Sequence, residues 1–348
     1  MKMPQVTVLM PVFNGEKYLK EAIESILNQD FTDFEFLIIN DGSTDNSAEI
    51  ICSYKDSRIV LITNEKNIGL VSTLNKGIEL AKGEYIVRMD CDDISLKNRV
   101  SKQVAFMDRN KDIAVSGSFY NLFRNNKKAV VDLPLTKQEI KCFLVFNSPI
   151  AHPTAIIRKN AIQQFKLNYS SEYIHAEDYD FWSQIANHYE LANIPDVLLD
   201  YRVHMNQITG NLHLVSKKNS SVTAIRLRHL QQNGILPSED ELLLHNSISN
   251  GETLENIEQV KNSENWLKKL INNNNEKKNL DKYFFEKIIL ERWLRLCFNF
   301  FGAKKGLYYF INSALFKTIK LPLNRKKELL KSFYNSWKRK KQLKFNQP

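Results

Sequence analysis

Apolar positions along the chain switch repeatedly between two periods. Residues 6–10 (VTVLM) form a short, mainly apolar run that reads as a buried strand. Residues 17–28 follow with Leu19, Ile23, Ile26 and Leu27 at helical spacing. Residues 34–39 predict a second strand, and 45–54 a helix opened by Asp45 at the cap position. Residues 59–62 predict a third strand, 70–81 a helix stopped by Gly83, and 84–89 a fourth strand. A helix over 96–109 and a fifth strand over 113–118 complete the series. Strict alternation of this kind predicts an α/β fold, with a mostly parallel sheet flanked by helices. Ligands of such sheets bind beyond the carboxyl ends of the strands, so the residues that follow each strand are the candidates for chemistry. From about residue 211 the strand signal fades. Helices are predicted at 217–232, 239–248, 252–271, 279–300, 303–319 and 324–344, with the polar run Asn272, Asn273, Asn274, Asn275 as a break between two of them. The expected organisation is an α/β domain over 1–210 and a mostly helical region over 211–348.

Charge sharpens that division. Residues 211–348 carry 26 Lys and Arg against 12 Asp and Glu, which leaves 23 against 27 in residues 1–210. The front is mildly acidic and the rear strongly basic, which points to an anionic surface as a partner of the rear. With 348 residues, 43% of them hydrophobic, the chain can bury a sizeable core. Cys52, Cys91, Cys142 and Cys297 are far apart and form no CxxC pair, so a disulfide framework or zinc site is not expected and a reducing compartment fits. The apolar run at 6–10 is broken by Pro11, and no apolar stretch reaches a membrane-spanning length. A cytoplasmic protein that does not cross the membrane is the expectation.

Three acidic clusters follow strand signals. The first strand ends in Pro11-Val12-Phe13-Asn14-Gly15-Glu16 and the second in Asn40-Asp41-Gly42-Ser43-Thr44-Asp45. An Asp at a strand end can accept from a base N–H, with Pro11 and Phe13 as the apolar wall of a base pocket. Asp41-Gly42-Ser43 as a plain turn is the other reading. The fourth strand ends in Met89-Asp90-Cys91-Asp92-Asp93. Period-two geometry puts Asp90 and Asp92 on one side, where two like charges call for a cation or a strong donor. Oxygen-only ligands beside a diphosphate suit Mg²⁺ or Mn²⁺; a solvated acidic loop is the alternative. Glu177-Asp178-Tyr179-Asp180 precedes the apolar run Phe181, Trp182, Ile185, which reads either as a general base at a helix start or as charge complementing the helix dipole. His204, in Tyr201-Arg202-Val203-His204 after a strand-like stretch at 197–200, is a metal ligand, a phosphate donor or a structural histidine. His152 lies in a loop between Pro149 and Pro153, a candidate wall of the cleft.

The order PVFNGEKYL, NDGSTD, NIGLVSTLNKGIELAKGEYIVRMDCDD, AEDYDFW and YRVH resembles the inverting glycosyltransferases of family 2, over about residues 4–208. The resemblance implies a GT-A, Rossmann-like fold and a nucleotide-diphosphate sugar as donor. It implies nucleotide-sugar contacts at Pro11, Val12, Phe13, Asn14, Glu16, Asp41, Asn67, Gly69, Lys76, Asp90, Cys91 and Asp92. Asp41 would face a uracil-type N–H, Asp90 would lie near ribose and metal, and Asp92 would ligate the metal together with His204. Asp178 matches the family's catalytic base. Asn40 stands where many members have Asp, and Phe13 where many have Tyr.

Arg325 to Lys344 hold nine basic residues and one acid, Glu328, around an apolar stripe of Leu329, Leu330, Phe333, Tyr334 and Trp337. Such a helix either lies on an anionic membrane surface or packs its stripe on the protein. A membrane-surface role would fit a saccharide acceptor carried on a lipid and a peripheral place on the inner face of the cytoplasmic membrane. Surface polysaccharide synthesis is what family and tail imply together, with UDP-sugar as donor and GDP- or dTDP-sugar as the alternative. A Rossmann dehydrogenase would need GxGxxG after the first strand, and residues 11–16 contain one glycine. A non-enzymatic nucleic-acid-binding protein would account for the basic tail but leave three acidic clusters unexplained, so nucleic acid is not expected.

Overall fold

The computed structural model describes residues 3–124, 127–204, 212–322, 324–331 and 333–334, with side chains from residue 218 onward in the helix that begins at Leu212. Two compact units result. One comprises Met1–Lys137 and Ser148–Ser221, the other Gln138–Asn147 and Val222–Pro348.

The first unit is built on a nine-stranded sheet. Its strands are β1 (Val6–Val12), β2 (Phe34–Asn40), β3 (Ile59–Thr63), β4 (Tyr85–Arg88), β5 (Ile94–Ser95), β6 (Ile113–Arg124), β7 (Lys127–Val131), β8 (Ile156–Arg158) and β9 (Glu190–Arg202). They lie in the order β3-β2-β1-β4-β8-β6-β9-β5, with β7 on β6. The helices of this unit are α1 (Glu16–Leu27), α2 (Ser47–Cys52), α3 (Leu70–Leu80), α4 (Arg99–Arg109), α6 (Lys159–Gln164) and α7 (Glu177–Ala186); α5 (Lys137–Leu144) leads out of it. The class is the α/β fold that the alternation predicts. The sheet is parallel from β3 through β4 and mixed beyond: β8 runs antiparallel to β4 and β6, while β9 is parallel to β6. Every residue of β1 and β2 is buried, as expected of strands covered on both faces. α1 covers one face with Leu19, Ala22, Ile23 and Ile26 at helical spacing.

The predicted elements of this unit are present with shifted ends. α2 starts at Ser47, later than predicted. Asp45 lies before it, and its carboxylate accepts from the N–H of Ser47 at 3.0 Å and of Glu16 at 3.0 Å. β9 is far longer than the stretch at 197–200, because bulged pairing with β6 carries it across Pro195.

The second unit is helical among its described residues. α5 joins α8 (Leu212–Gln232), α9 (Glu239–Asn250), α10 (Ile257–Lys277), α11 (Lys282–Phe301), α12 (Ala303–Asn312), α13 (Ala314–Thr318) and a final helical segment over 324–331. One core contains Cys142, Val145 and Phe146 from the early segment and Trp266, Leu267, Phe285, Trp293 and Phe310 from the late helices. The asparagine run does not break α10. Asn274 is buried and its side chain bonds both the N–H and the carbonyl of Leu280, so the run helps to end the helix two residues later. The helix expected over 303–319 is split at Ser313, whose hydroxyl caps α13 through the N–H of Phe316. Of the basic tail, residues 335–348, with Trp337, Lys338 and Lys341, lie outside the described residues.

Candidate active site

Because β1, β2 and β4 are adjacent and parallel, the loops that follow them leave the same edge of the sheet. The first two loops are laced together by reciprocal bonds. The N–H groups of Asn14, Gly15 and Glu16 donate to Ser43 Oγ, Ser47 Oγ and Asp45 Oδ2 at 2.9–3.0 Å. In return Thr44 N–H donates to Asn14 Oδ1 at 2.8 Å and Asn46 N–H to Glu16 Oε2 at 3.0 Å. Asn14 is held at φ 51°, in the left-handed region that asparagine tolerates. The side chains of Asn14 and Glu16 are therefore engaged in joining the loops. Pro11 and Val12 are buried within β1, and Phe13 beside them is 46% exposed.

Asp41 is buried, and its carboxylate organises the loop after β3. It accepts from Asn64 Nδ2 at 2.8 Å, from the N–H of Ile68 at 2.9 Å and from that of Gly69 at 3.0 Å. Lys76, on α3, donates to Asn64 Oδ1 at 2.6 Å, so a cation backs this network. Asn67 accepts from the same Gly69 N–H at 2.9 Å. Asp41, Asn67, Gly69 and Lys76 thus form one cluster, tied to β1 by the Asp41 N–H on the Val12 carbonyl at 2.8 Å.

The loop after β4 is the electrostatic centre. Carboxylate oxygens of Asp90, Asp92 and Asp93 lie within 4.8 Å of one another. Asp93 Oδ2 is buried with no hydrogen-bond partner among the described residues. Burial pushes the Asp90 and Asp93 carboxyls above the usual range, and neighbouring aspartates add to it. Arg88, almost fully buried, forms an ion pair with Asp90. Cys91 lies against the first loop: a Cβ added at Gly15 would come 2.9 Å from its Sγ. Burial pushes the Cys91 thiol up, so it stays protonated.

β9 completes this end. His204 Nε2 is 2.9 Å from Asp92 Oδ2, and its ring lies 4.8 Å from that of Tyr18. Arg202 clamps the arrangement. Its backbone N–H donates to Asp93 at 2.9 Å, its Nε to the Asp92 carbonyl at 2.8 Å and its Nη2 to Glu21 at 2.7 Å. The same guanidinium lies 4.5 Å from the centre of the Tyr18 ring.

α7 brings in the last cluster. Asp178 is in its first turn, half-buried, with Ser148 Oγ at 3.5 Å. Burial pushes its carboxyl up, while the Tyr179 N–H and the charge of Lys218 pull it down. Glu177 is pushed up to about 7 by burial, then by the charge of Asp178, with Asp90 contributing. Arg88 acts on both residues in the opposite direction. Asp90, Arg88, Glu177 and Asp178 therefore share one electrostatic environment. His152 and Tyr169 border it, joined at 2.9 Å, and burial holds His152 neutral.

The sequence pattern assigns no role to Arg88, Arg202, Tyr169 or Lys218, and marks Glu177 only as part of the acidic cluster around Asp178. Arg88 and Arg202 carry a legible signal, an arginine two positions before an aspartate or histidine at a strand end. Tyr169 and Lys218 lie in segments without a local motif.

The three carboxylates suit a hard divalent cation: they offer oxygen alone, they crowd one another, and one oxygen is orphaned. A parallel half-sheet with acidic loops at one edge, beside a carboxylate at a helix start, defines an α/β enzyme of the GT-A type. A family model described as glycosyl transferase family 2 matches residues 7–166. An uncharacterized glycosyltransferase of Haemophilus influenzae is 35% identical over 219 residues, 60% of this chain and 68% of its own length. The chain belongs to glycosyltransferase family 2. It is also similar to the Escherichia coli UDP-Glc:alpha-D-GlcNAc-diphosphoundecaprenol beta-1,3-glucosyltransferase WfgD, at 29% identity over 211 residues, 59% of this chain and 80% of that one. In fold it resembles S. aureus TarS 1–349, crystallised with UDP-GlcNAc, with a TM-score of 0.56 at 19% identity, covering 84% of this chain and 86% of that one.

Proposed function

We propose that this glycosyltransferase moves a sugar from a UDP-sugar to a hydroxyl of a lipid-linked saccharide, with inversion, in the synthesis of a bacterial surface polysaccharide. The observation that carries the reading is the convergence of the Asp90–Asp93 run and the Glu177–Asp178 pair around Arg88. The donor and acceptor classes are those in the name of WfgD.

In this reading Asp178 accepts the proton of the acceptor hydroxyl. The oxygen bonds to the anomeric carbon from the face opposite the departing group, and the bond from that carbon to the phosphate oxygen breaks. One displacement inverts the configuration. An elevated carboxyl suits the task, because a stronger base at working pH is a better proton acceptor. Asp92 with His204 would hold Mn²⁺ or Mg²⁺, with Asp90 and Asp93 beside them, and the ion would neutralise charge on the leaving diphosphate. Asp41, with Asn67, Gly69 and Lys76, shapes the loop that receives the base, and Phe13 offers an exposed ring at that edge. Arg202 keeps Asp92 and His204 in register.

Asp178→Asn is expected to lower turnover by about a thousandfold or more while donor binding, read by thermal shift, stays within about twofold. Asp92→Ala is expected instead to abolish the Mn²⁺-dependent part of the donor-induced shift. Near-parental turnover in Asp178→Asn would remove the base assignment. A panel of UDP-, GDP- and dTDP-sugars in the same assay identifies the donor.

A further inference from the structure

The helical unit presents one helix face that the proposed chemistry does not use. α12 lies against α11 at Gly306, where an added Cβ would come 2.5 Å from the Cys297 carbonyl oxygen. Phe310, one turn on, is fully buried. At about 100° per residue, Lys304, Lys305, Tyr308, Ile311 and Asn312 then fall within roughly a third of the circumference on the other side. All five are exposed. Tyr308 is 73% and Ile311 41% exposed, large apolar bodies left in water.

The charge around this face is one-sided. Between residues 302 and 334 there are eight basic residues and one acid, Glu328. That glutamate is paired with Arg325 at 2.9 Å. Lys304, Lys305, Lys317 and Lys320 are exposed and have no carboxylate partner among the described residues. One other exposed apolar side chain of the unit, Leu243, has different surroundings. It is 65% exposed and sits on α9, whose first turn carries Glu239, Asp240 and Glu241. An acidic helix start would be repelled by an anionic surface, whereas the α12 face is complementary to one.

We infer that the exposed face of α12 docks on an anionic phospholipid surface. Tyr308 and Ile311 enter the head-group region, and Lys304 and Lys305 meet lipid phosphates. Tyrosine suits that depth, having an apolar ring and a polar tip. A helix of ten residues with a single exposed tyrosine and isoleucine gives reversible attachment, not insertion. No helix among the described residues is long and apolar enough to cross a membrane. A surface attachment of this kind would bring the enzyme to a lipid-borne acceptor. That purpose rests on the proposed function; the attachment does not.

The test uses the full chain and vesicles of phosphatidylcholine alone or mixed with phosphatidylglycerol, in a flotation assay at rising salt. Binding is expected to the mixed vesicles only, and to fall steeply with ionic strength. Tyr308→Ser combined with Ile311→Ser is expected to weaken it about tenfold, and Lys304→Glu combined with Lys305→Glu to abolish it. Both variants should keep the parental circular dichroism and donor-induced thermal shift. Equal binding to both vesicle types, binding to neither, or parental binding by both variants would overturn the inference. A parental protein that binds neither vesicle type but keeps its donor response rejects the docking face alone. A parental protein that responds to no nucleotide sugar rejects the glycosyltransferase reading alone.

Discussion

Arg88 is a cation with almost no access to water, set among carboxylates from two distant parts of the chain. Removing one partner of such a pair leaves an uncompensated buried charge, so Arg88→Met should destabilise the first unit by about 3–5 kcal/mol. Glu177 shows the opposite side of the same field. Its carboxyl stands near 7 in the fold against 4.5 as a free group. A raised carboxyl contributes stability that is complete below about pH 4.5 and is lost as pH rises through 7. Glu177→Gln removes that loss. The variant should match the parent near pH 4 and exceed it near pH 8 by on the order of 3 kcal/mol, read by urea denaturation at the two pH values. A parent at least as stable as the variant at pH 8 would contradict the field described here.

At the scale of elements, the end of β9 joins the sheet to α1 and to the acidic loop through Arg202. Arg202→Gln loses two charge-assisted bonds and a ring contact while the backbone bond to Asp93 remains. The Mn²⁺ concentration needed for half-maximal rate should rise about tenfold, with kcat changed less and Arg202→Lys recovering part of the effect. An unchanged metal requirement would reduce Arg202 to a packing residue. Elements that bury a regular apolar pattern were readable without coordinates. β1, β2 and α1 declare themselves because their buried positions are mostly apolar, Thr7, Glu35 and Asn40 being the polar ones in the two strands. β8 has three residues and exists through antiparallel pairing with β4 and β6, which no local pattern encodes. The asparagine run misled because one member, Asn274, finds partners in Leu280 and is buried. At the site, acidic residue types marked the relevant loops. What they did not reveal is that Asn14 and Glu16 bind the opposite loop, since that bonding needs both loops folded.

At the scale of the whole molecule, the chain leaves the first unit at Gln138, contributes ten residues to the second and returns at Ser148. Those ten residues are anchored in the helical unit. Arg226 Nε donates to the Phe146 carbonyl at 2.7 Å, His245 Nε2 is 2.9 Å from the Val145 carbonyl, and Lys287 pairs with Glu139 at 2.7 Å. Ile140, Cys142, Leu144, Val145 and Phe146 are all buried. A chain ended after Ser221 would strip the cover from these side chains, so it should aggregate. Replacing 138–147 by a short polar linker in the same truncated chain should restore soluble protein, as judged by size exclusion. Soluble, monodisperse protein without the linker would contradict this.

The detour also bears on synthesis and on descent. A ribosome delivers residues 138–147 long before Trp266, Phe285 and Trp293, beside which they are buried, so the nascent front half emerges with an apolar strap waiting for its cover. Genes exchanging the rear helices by one crossover would inherit a strap cut for another core. A working chimera needs two exchanges, one of them inside the catalytic half.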